Sequence, residues 1–375
     1  MTDTSTTPNI QKLEEEVELG RKSLTADRMD ISFGELLNMY RDGELIIRPD
    51  YQRLYRWNNT QKTALIESLL LSIPIPPIFV AENEDGVWEV VDGLQRVSTF
   101  LSFFGELKQD LTTLDPIVDE EGENLKNVNN WQLEAGSIIN SLDGFDVDTL
   151  PISFKINLKR SVCRVEILRG QSNNEMKYEL FKRLNSGGSK LTPQEIRNAI
   201  YRGIDTRLNE LLLKLSKNEI FTAMVNLSSR KKQELYDQEL ILKFMAFVNN
   251  IENINLNTEH YLNRFMENTV NSNNFDYEGM ENLFIETLTL IHDSVNNPEE
   301  VFWGVQRRLV ATYFDAITVS VAQNLEKYKG NPELLREKID FLKQDEDFRY
   351  FSGTAPSSRS RVKNRLQRAN EIFGN

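Results

Sequence analysis

The sequence predicts an α+β domain over residues 1–204 followed by an all-helical domain over residues 205–375. Three observations carry that prediction. Cys163, Val165 and Ile167 alternate with Arg164 and Glu166, the period-two mark of a half-buried strand. Two apolar runs, Ile78 to Ala81 and Trp88 to Val91, are joined across Glu84-Asp85-Gly86, a hairpin signal. Beyond Asp205 such patterns stop, and long apolar stripes at helical spacing replace them.

In chain order, Ser32-Phe33-Gly34-Glu35 reads as a capping box that opens a helix through Leu36 and Leu37, closed by Gly43. Leu65, Ile66, Leu69, Leu70 and Ile73 repeat at helical spacing. Ser72-Ile73-Pro74-Ile75-Pro76-Pro77 ends that helix, because proline lacks an amide donor and disfavours helix before it. Thr99 to Phe104 is helical in pattern. Asp110 to Pro151 is polar and holds no firm element, so it reads as an insertion. Ser172-Asn173-Asn174-Glu175 caps a helix that stops at Asn185-Ser186-Gly187-Gly188, and Thr192-Pro193-Gln194-Glu195 opens the next. In the second half Leu240, Ile241, Phe244, Met245 and Val248 form one core stripe. Leu283, Phe284, Leu288 and Ile291 form another, and Leu309, Val310, Tyr313, Phe314, Ile317 and Val321 a third.

Composition narrows the function. The net charge of −13 argues against a chain that coats nucleic acid with its whole surface. A local basic run, Arg359, Arg361, Lys363, Arg365 and Arg368, reads either as a solvated helix face or as a strip contacting DNA phosphates. A single cysteine, Cys163, excludes an internal disulfide and a cysteine-based zinc cluster. The two histidines, His260 and His292, are far apart, which excludes zinc fingers and a His-Asn-His nuclease built from this chain. No stretch approaches the roughly 20 apolar residues of a membrane span, and the N-terminus has no secretory pattern, so a cytoplasmic protein is expected. Neither G-x-x-x-x-G-K-[ST] nor G-x-G-x-x-G occurs.

What remains is a set of four polar islands at element junctions. Pro49 to Trp57 places Arg53 and Arg56 among aromatics including Tyr51, suited to an anion whose base or sugar stacks on a ring. The proline turn follows. In Val90-Val91-Asp92-Gly93-Leu94-Gln95-Arg96-Val97-Ser98-Thr99 a strand ends in Asp-Gly and a helix begins at once. Such a junction offers free amides and the positive end of a helix dipole to phosphate. Gly93 admits close approach, Arg96 offers a bidentate contact, and Asp92 offers a carboxylate to a metal or a water. The fourth island runs from Phe181 through Gly188 to Gln194-Glu195-Ile196-Arg197-Asn198-Ala199, again a glycine loop before a capped helix.

These residues resemble the domain of unknown function 262, the N-terminal domain of GmrSD-type restriction enzymes. That family is marked by Y-Q-R-x-Y-R-W, I-P-I-P-P, D-G-Q-Q-R, R-L-N-x-G-G-x-x-L and Q-E-I-R-N-A. Here Tyr51 to Trp57, Ile73 to Pro77, Asp92 to Arg96, Arg183 to Leu191 and Gln194 to Ala199 follow in that order. Ser358 to Phe373 is similar to the family's usual end. The resemblance implies a ParB/sulfiredoxin-like α+β fold that binds and hydrolyses a nucleoside triphosphate, with Mg²⁺ or Mn²⁺ as the candidate cation. In relatives that hydrolysis regulates a DNA-cleaving domain active against phage DNA.

Carried over by residue, the resemblance makes Asp92, Gln95 and Arg96 the hydrolysis residues. Gly93 and Ser98 would join Tyr51, Arg53, Arg56, Asn185, Gly187, Gly188, Arg197 and Asn198 in holding nucleotide. Two departures matter. Leu94 stands where the family has Gln, and Leu can neither orient a water nor bond a phosphate. The family's C-terminal His-Asn-His nuclease is missing, which implies a separate effector protein as partner. Two readings follow: a nucleotidase whose nucleotide state gates that effector, and a non-catalytic sensor that binds nucleotide or DNA in the same pocket. A nicking nuclease acting through Asp92 has no paired carboxylates to support it.

Overall fold

The computed structural model describes residues 10–22, 25–47, 57–83, 85–108, 128–169, 178–179, 181–183, 191–202, 204–249, 257–304, 306–353 and 356–375. The chain divides into two compact units, Met1–Lys190 and Leu191–Asn375.

The first unit is built on a five-stranded mixed sheet. Its elements are α1 (Ile10–Lys22), β1 (Thr25–Ser32), α2 (Phe33–Asp42), β2 (Leu45–Ile46), α3 (Asn59–Leu70), β3 (Ile78–Glu82), β4 (Trp88–Asp92), α4 (Leu94–Phe103), α5 (Ile152–Arg160) and β5 (Val162–Arg169). The strand order is β1-β5-β3-β4-β2. β1/β5 and β3/β4 pair antiparallel, whereas β3/β5 and β2/β4 pair parallel. The expected β3–β4 hairpin is present. It turns on Gly86 at φ +79°, while the Asn83 side chain accepts from the amides of Asp85 and Val87. Alternation in β5 is also as expected: Cys163, Val165 and Ile167 are buried and Arg164 is exposed. On the helices, Phe33 of α2 meets Phe100 of α4 with ring centroids 4.7 Å apart.

Helix boundaries follow local chemistry. Ser32 caps α2 by accepting from the Glu35 amide, and Gly43 closes it in the left-handed conformation. α3 buries Leu65, Ile66 and Leu69, but it ends at Leu70, before the proline turn. Ile73 therefore lies outside the helix and is exposed, a correction to the stripe read from the sequence. The chain leaves the helix through Ser72 at φ +55°, and Pro74 disfavours helical backbone at Ile73.

The polar insertion is less loose than its composition suggests. Within its described part, Trp131, Leu133, Leu142 and Leu150 are buried, and the Trp131 indole donates to the Ser102 hydroxyl at 2.6 Å. The buried Glu67 carboxylate of α3 accepts from the amides of Ser137, Ile138 and Ile139 at 3.2, 2.8 and 2.7 Å, and from the Ser137 hydroxyl at 2.8 Å. Those donors, the Ile139 amide above all, hold the Glu67 carboxyl below its ordinary range.

The second unit is helical among the described residues apart from an isolated bridge, Trp303 to Leu309. Its helices are α6 (Pro193–Tyr201), α7 (Arg207–Ser216), α8 (Glu219–Val225), α9 (Ser229–Gln233), α10 (Tyr236–Asn249), α11 (Thr258–Val270), α12 (Tyr277–Ser294), α13 (Ala311–Gln323), α14 (Leu325–Tyr328), α15 (Pro332–Gln344), α16 (Glu346–Ser352) and α17 (Arg359–Gly374). Thr192 and Glu195 complete the expected capping box on α6, with Pro193 at its start. Leu240, Ile241, Phe244 and Met245 of α10 are fully buried, as are Phe284 and Ile291 of α12 and Phe314, Ile317 and Val321 of α13. α6 packs on α10 and α11 and so belongs to this unit. No described helix is long and apolar enough to cross a membrane.

Candidate functional site

β4 delivers Asp92 to its end, and the chain turns at Gly93 straight into α4. Gly93 has φ +90°, and a Cβ there would lie 2.9 Å from Ile78 Cγ1 and 3.2 Å from Arg96 Nη2. Both the backbone conformation and the space demand glycine. Gly93 supplies no side chain to cap α4, so the helix opens with its first-turn amides and its positive end facing the junction.

Around that turn, side chains tie together three of the four islands. Arg96 Nη2, in the first turn of α4, donates at 3.0 Å to Asp92 Oδ2 at the end of β4. Arg96 Nη1 donates to the Pro77 carbonyl at 3.1 Å and also to the Pro76 carbonyl. The guanidinium thus bolts the proline turn to the strand–helix junction, with its side chain only 12% exposed. Gln95 Oε1 accepts from the Trp57 amide at 3.3 Å, which anchors the end of the aromatic and basic segment. Burial raises the Asp92 carboxyl above its ordinary range, against the opposing pull of Arg96 and the Gly93 amide. Leu94 is half-buried, and Ser98 is fully buried with a hydroxyl that has no hydrogen-bond partner. The resulting arrangement offers helix-terminal amides and a fixed guanidinium to an anionic ligand, with the partly exposed Asp92 carboxylate beside them. Among the described residues, no group of three or more His, Cys, Asp or Glu side chains is placed to hold a metal ion.

Tyr51, Arg53, Arg56, Asn185, Gly187 and Gly188 lie outside the described residues. Arg197 and Asn198 belong to the second unit, where both are buried. Arg197 donates to Gln194 Oε1 at 2.9 Å, Asn263 Oδ1 at 3.4 Å and Glu239 Oε2 at 2.9 Å. Asn198 donates to Gln238 Oε1 at 2.8 Å and accepts from Gln194 at 2.8 Å. Lys243 completes the chain with a 2.9 Å ion pair to Glu239. Burial alone would raise the Glu239 carboxyl, but Lys243 and Arg197 outweigh it and hold it low.

The basic run on α17 does not present one face. At about 100° per residue, Arg359 and Lys363 lie together while Arg361, Arg365 and Arg368 lie opposite. Arg365 is buried, donating to the Pro356 carbonyl at 2.9 Å and lying 3.6 Å from Asp315. Arg368 grips Asp345 at 2.6 Å, and Arg361 donates to the Tyr350 carbonyl with its guanidinium 4.6 Å from that ring's centroid. Arg359 is exposed and Lys363 partly so.

The partners of the junction were not readable from the sequence. Carbonyls of Pro76 and Pro77 and the amide of Trp57 are backbone groups that any residue carries, and only the fold brings them to Arg96 and Gln95. Residues 33–202 match the family model described as GmrSD restriction endonuclease, N-terminal domain. No curated protein and no solved structure gives a significant match. The motif-bearing part of the chain, residues 33–202, therefore belongs to the GmrSD restriction endonuclease N-terminal domain family.

Proposed function

We propose that this chain binds, and hydrolyses, a nucleoside triphosphate at the Asp92–Arg96 junction, and that nucleotide state gates a separate effector in a restriction-type defence system. The single observation that supports this most is the uncapped opening of α4 at Gly93, beside the Asp92–Arg96 pair. Amides at a helix start suit a triphosphate, because they donate to its oxygens where the helix dipole favours negative charge. The mixed sheet feeding a helix at this junction is also what supports reading the first unit as ParB/sulfiredoxin-like. A Mg²⁺ or Mn²⁺ ion accompanying the triphosphate would be held mainly by phosphate oxygens, with Asp92 as the protein's carboxylate at the junction. Arg359 and Lys363 are the residues of the basic run best exposed for DNA.

The test is phosphate release from each of the four NTPs, with Mg²⁺ and with Mn²⁺, on the wild type, Asp92→Ala and Arg96→Ala. Turnover is expected to fall on the order of 10²–10³-fold in both variants, with circular dichroism unchanged. Equal turnover in all three proteins would overturn the assignment. Leu94, an apolar side chain in the first turn of α4, favours a second reading: a sensor that binds without hydrolysing. Calorimetric binding of nucleotide with no phosphate release, and release gained in Leu94→Gln, would select it.

A further inference from the structure

Two helices of the first unit carry apolar faces turned to solvent, with opposite charges beside them. On α1, Ile10, Leu13 and Val17 are 67%, 60% and 44% exposed. At about 100° per residue they fall within about 60° of arc, with the exposed Glu14 and Glu18 flanking one side. On α5, Ile152 and Ile156 are 70% and 40% exposed and lie about 40° apart. Lys155 and Lys159 border that pair on one side and Arg160 on the other. None of these three cations pairs with a described carboxylate; Lys159 instead stands over the Phe104 ring, 5.1 Å from its centroid. One face is apolar and acidic, the other apolar and basic.

Within a chain the two helices are not a packed pair. α1 leads into β1 at Thr25, which pairs with Arg169, whereas α5 leads into β5 at Val162, which pairs with Ser32. The helices therefore enter opposite ends of the same eight-residue ladder, about 24 Å apart. An isolated amphipathic helix of this length gains little stability from propensity alone and needs a partner for its apolar stripe.

We propose that the occupant of each face is a second copy of this chain: α1 of one copy lies against α5 of the other, and the exchange is reciprocal about a twofold axis. Such an isologous contact uses the pairing twice, so Leu13 and Val17 cover Ile152 and Ile156 while Glu14 and Glu18, on one side of their stripe, face Lys155 and Lys159, on one side of theirs. The inference is independent of the nucleotide reading and stands or falls by a different measurement.

Sedimentation velocity of the full chain over a micromolar concentration series is the test. A monomer–dimer equilibrium is expected, weakening as salt is raised because the flanking charges are exposed. Leu13→Asp and Ile156→Asp should each leave a monomer with unchanged circular dichroism. Lys155→Glu with Lys159→Glu should weaken the dimer by about tenfold or more, and adding Glu14→Lys with Glu18→Lys should restore it. A wild type that stays monomeric would overturn the proposal, as would a dimer indifferent to these changes or a charge reversal that does not restore it.

Discussion

Gly93 shows how much one residue decides. Its φ of +90° is costly for any other residue, and an added Cβ would press on Ile78 of the neighbouring strand and on the Arg96 guanidinium. Gly93→Ala is expected to destabilise the first unit by about 1–3 kcal/mol, read as a shifted midpoint in urea unfolding. An unchanged midpoint would mean that the strand–helix turn relaxes freely. Asp92, Gly93, Gln95 and Arg96 were legible as a motif because their spacing across a strand-to-helix change is local information. Their partners were not. Arg96 reads from sequence as a phosphate donor, yet it spends donors on Pro76, Pro77 and Asp92, so it acts on a ligand from a fixed position.

Among the elements, α3 shows a tie that pattern-reading misses. Glu67 sits on the buried side of the helix and would look out of place there by hydropathy. Its carboxylate is instead the acceptor that orders Ser137 to Ile139. Because its pKa is lowered in the folded state, the stability it contributes is fully present above the ordinary carboxyl range and is lost as pH falls through the folded value. The wild type should therefore lose stability below roughly pH 4–5. Glu67→Gln should be less stable at neutral pH by about 1–3 kcal/mol and show a shallower acid dependence. Parallel acid-stability curves for the two proteins would remove Glu67 from the account. Strands with clean alternation and helices with strong caps were legible; β1, with charged Asp27, Arg28 and Asp30 along the sheet edge, and the basic α5 were not, because edge and surface elements carry little hydrophobic period.

For the whole molecule, the second unit has its own core and its own buried polar seam, from Gln194 and Arg197 through Glu239 to Lys243. A fragment of residues 191–375 should fold cooperatively alone, giving a helical spectrum and a single thermal transition. A fragment of residues 205–375, cut where the texture of the sequence changes, removes the side chains that satisfy Gln238, Glu239 and Asn263. It should be less stable by about 1–3 kcal/mol, since the buried Gln238 and Asn263 side chains lose hydrogen-bond partners. Equal melting of the two fragments would show that α6 adds nothing to the unit.

The sequence by itself determined the class of each half, the hairpin, the main caps and the membership of residues 33–202 in the GmrSD N-terminal family. These are properties of neighbours along the chain: period, capping chemistry and ordered motifs. Tertiary structure alone decided that the proline turn hangs on Arg96, that part of the insertion is clasped by Glu67, and that Arg365 and Arg368 of α17 are taken up by Asp315 and Asp345. Each of these depends on groups distant in sequence, many of them backbone amides and carbonyls, which every residue carries and no residue type announces.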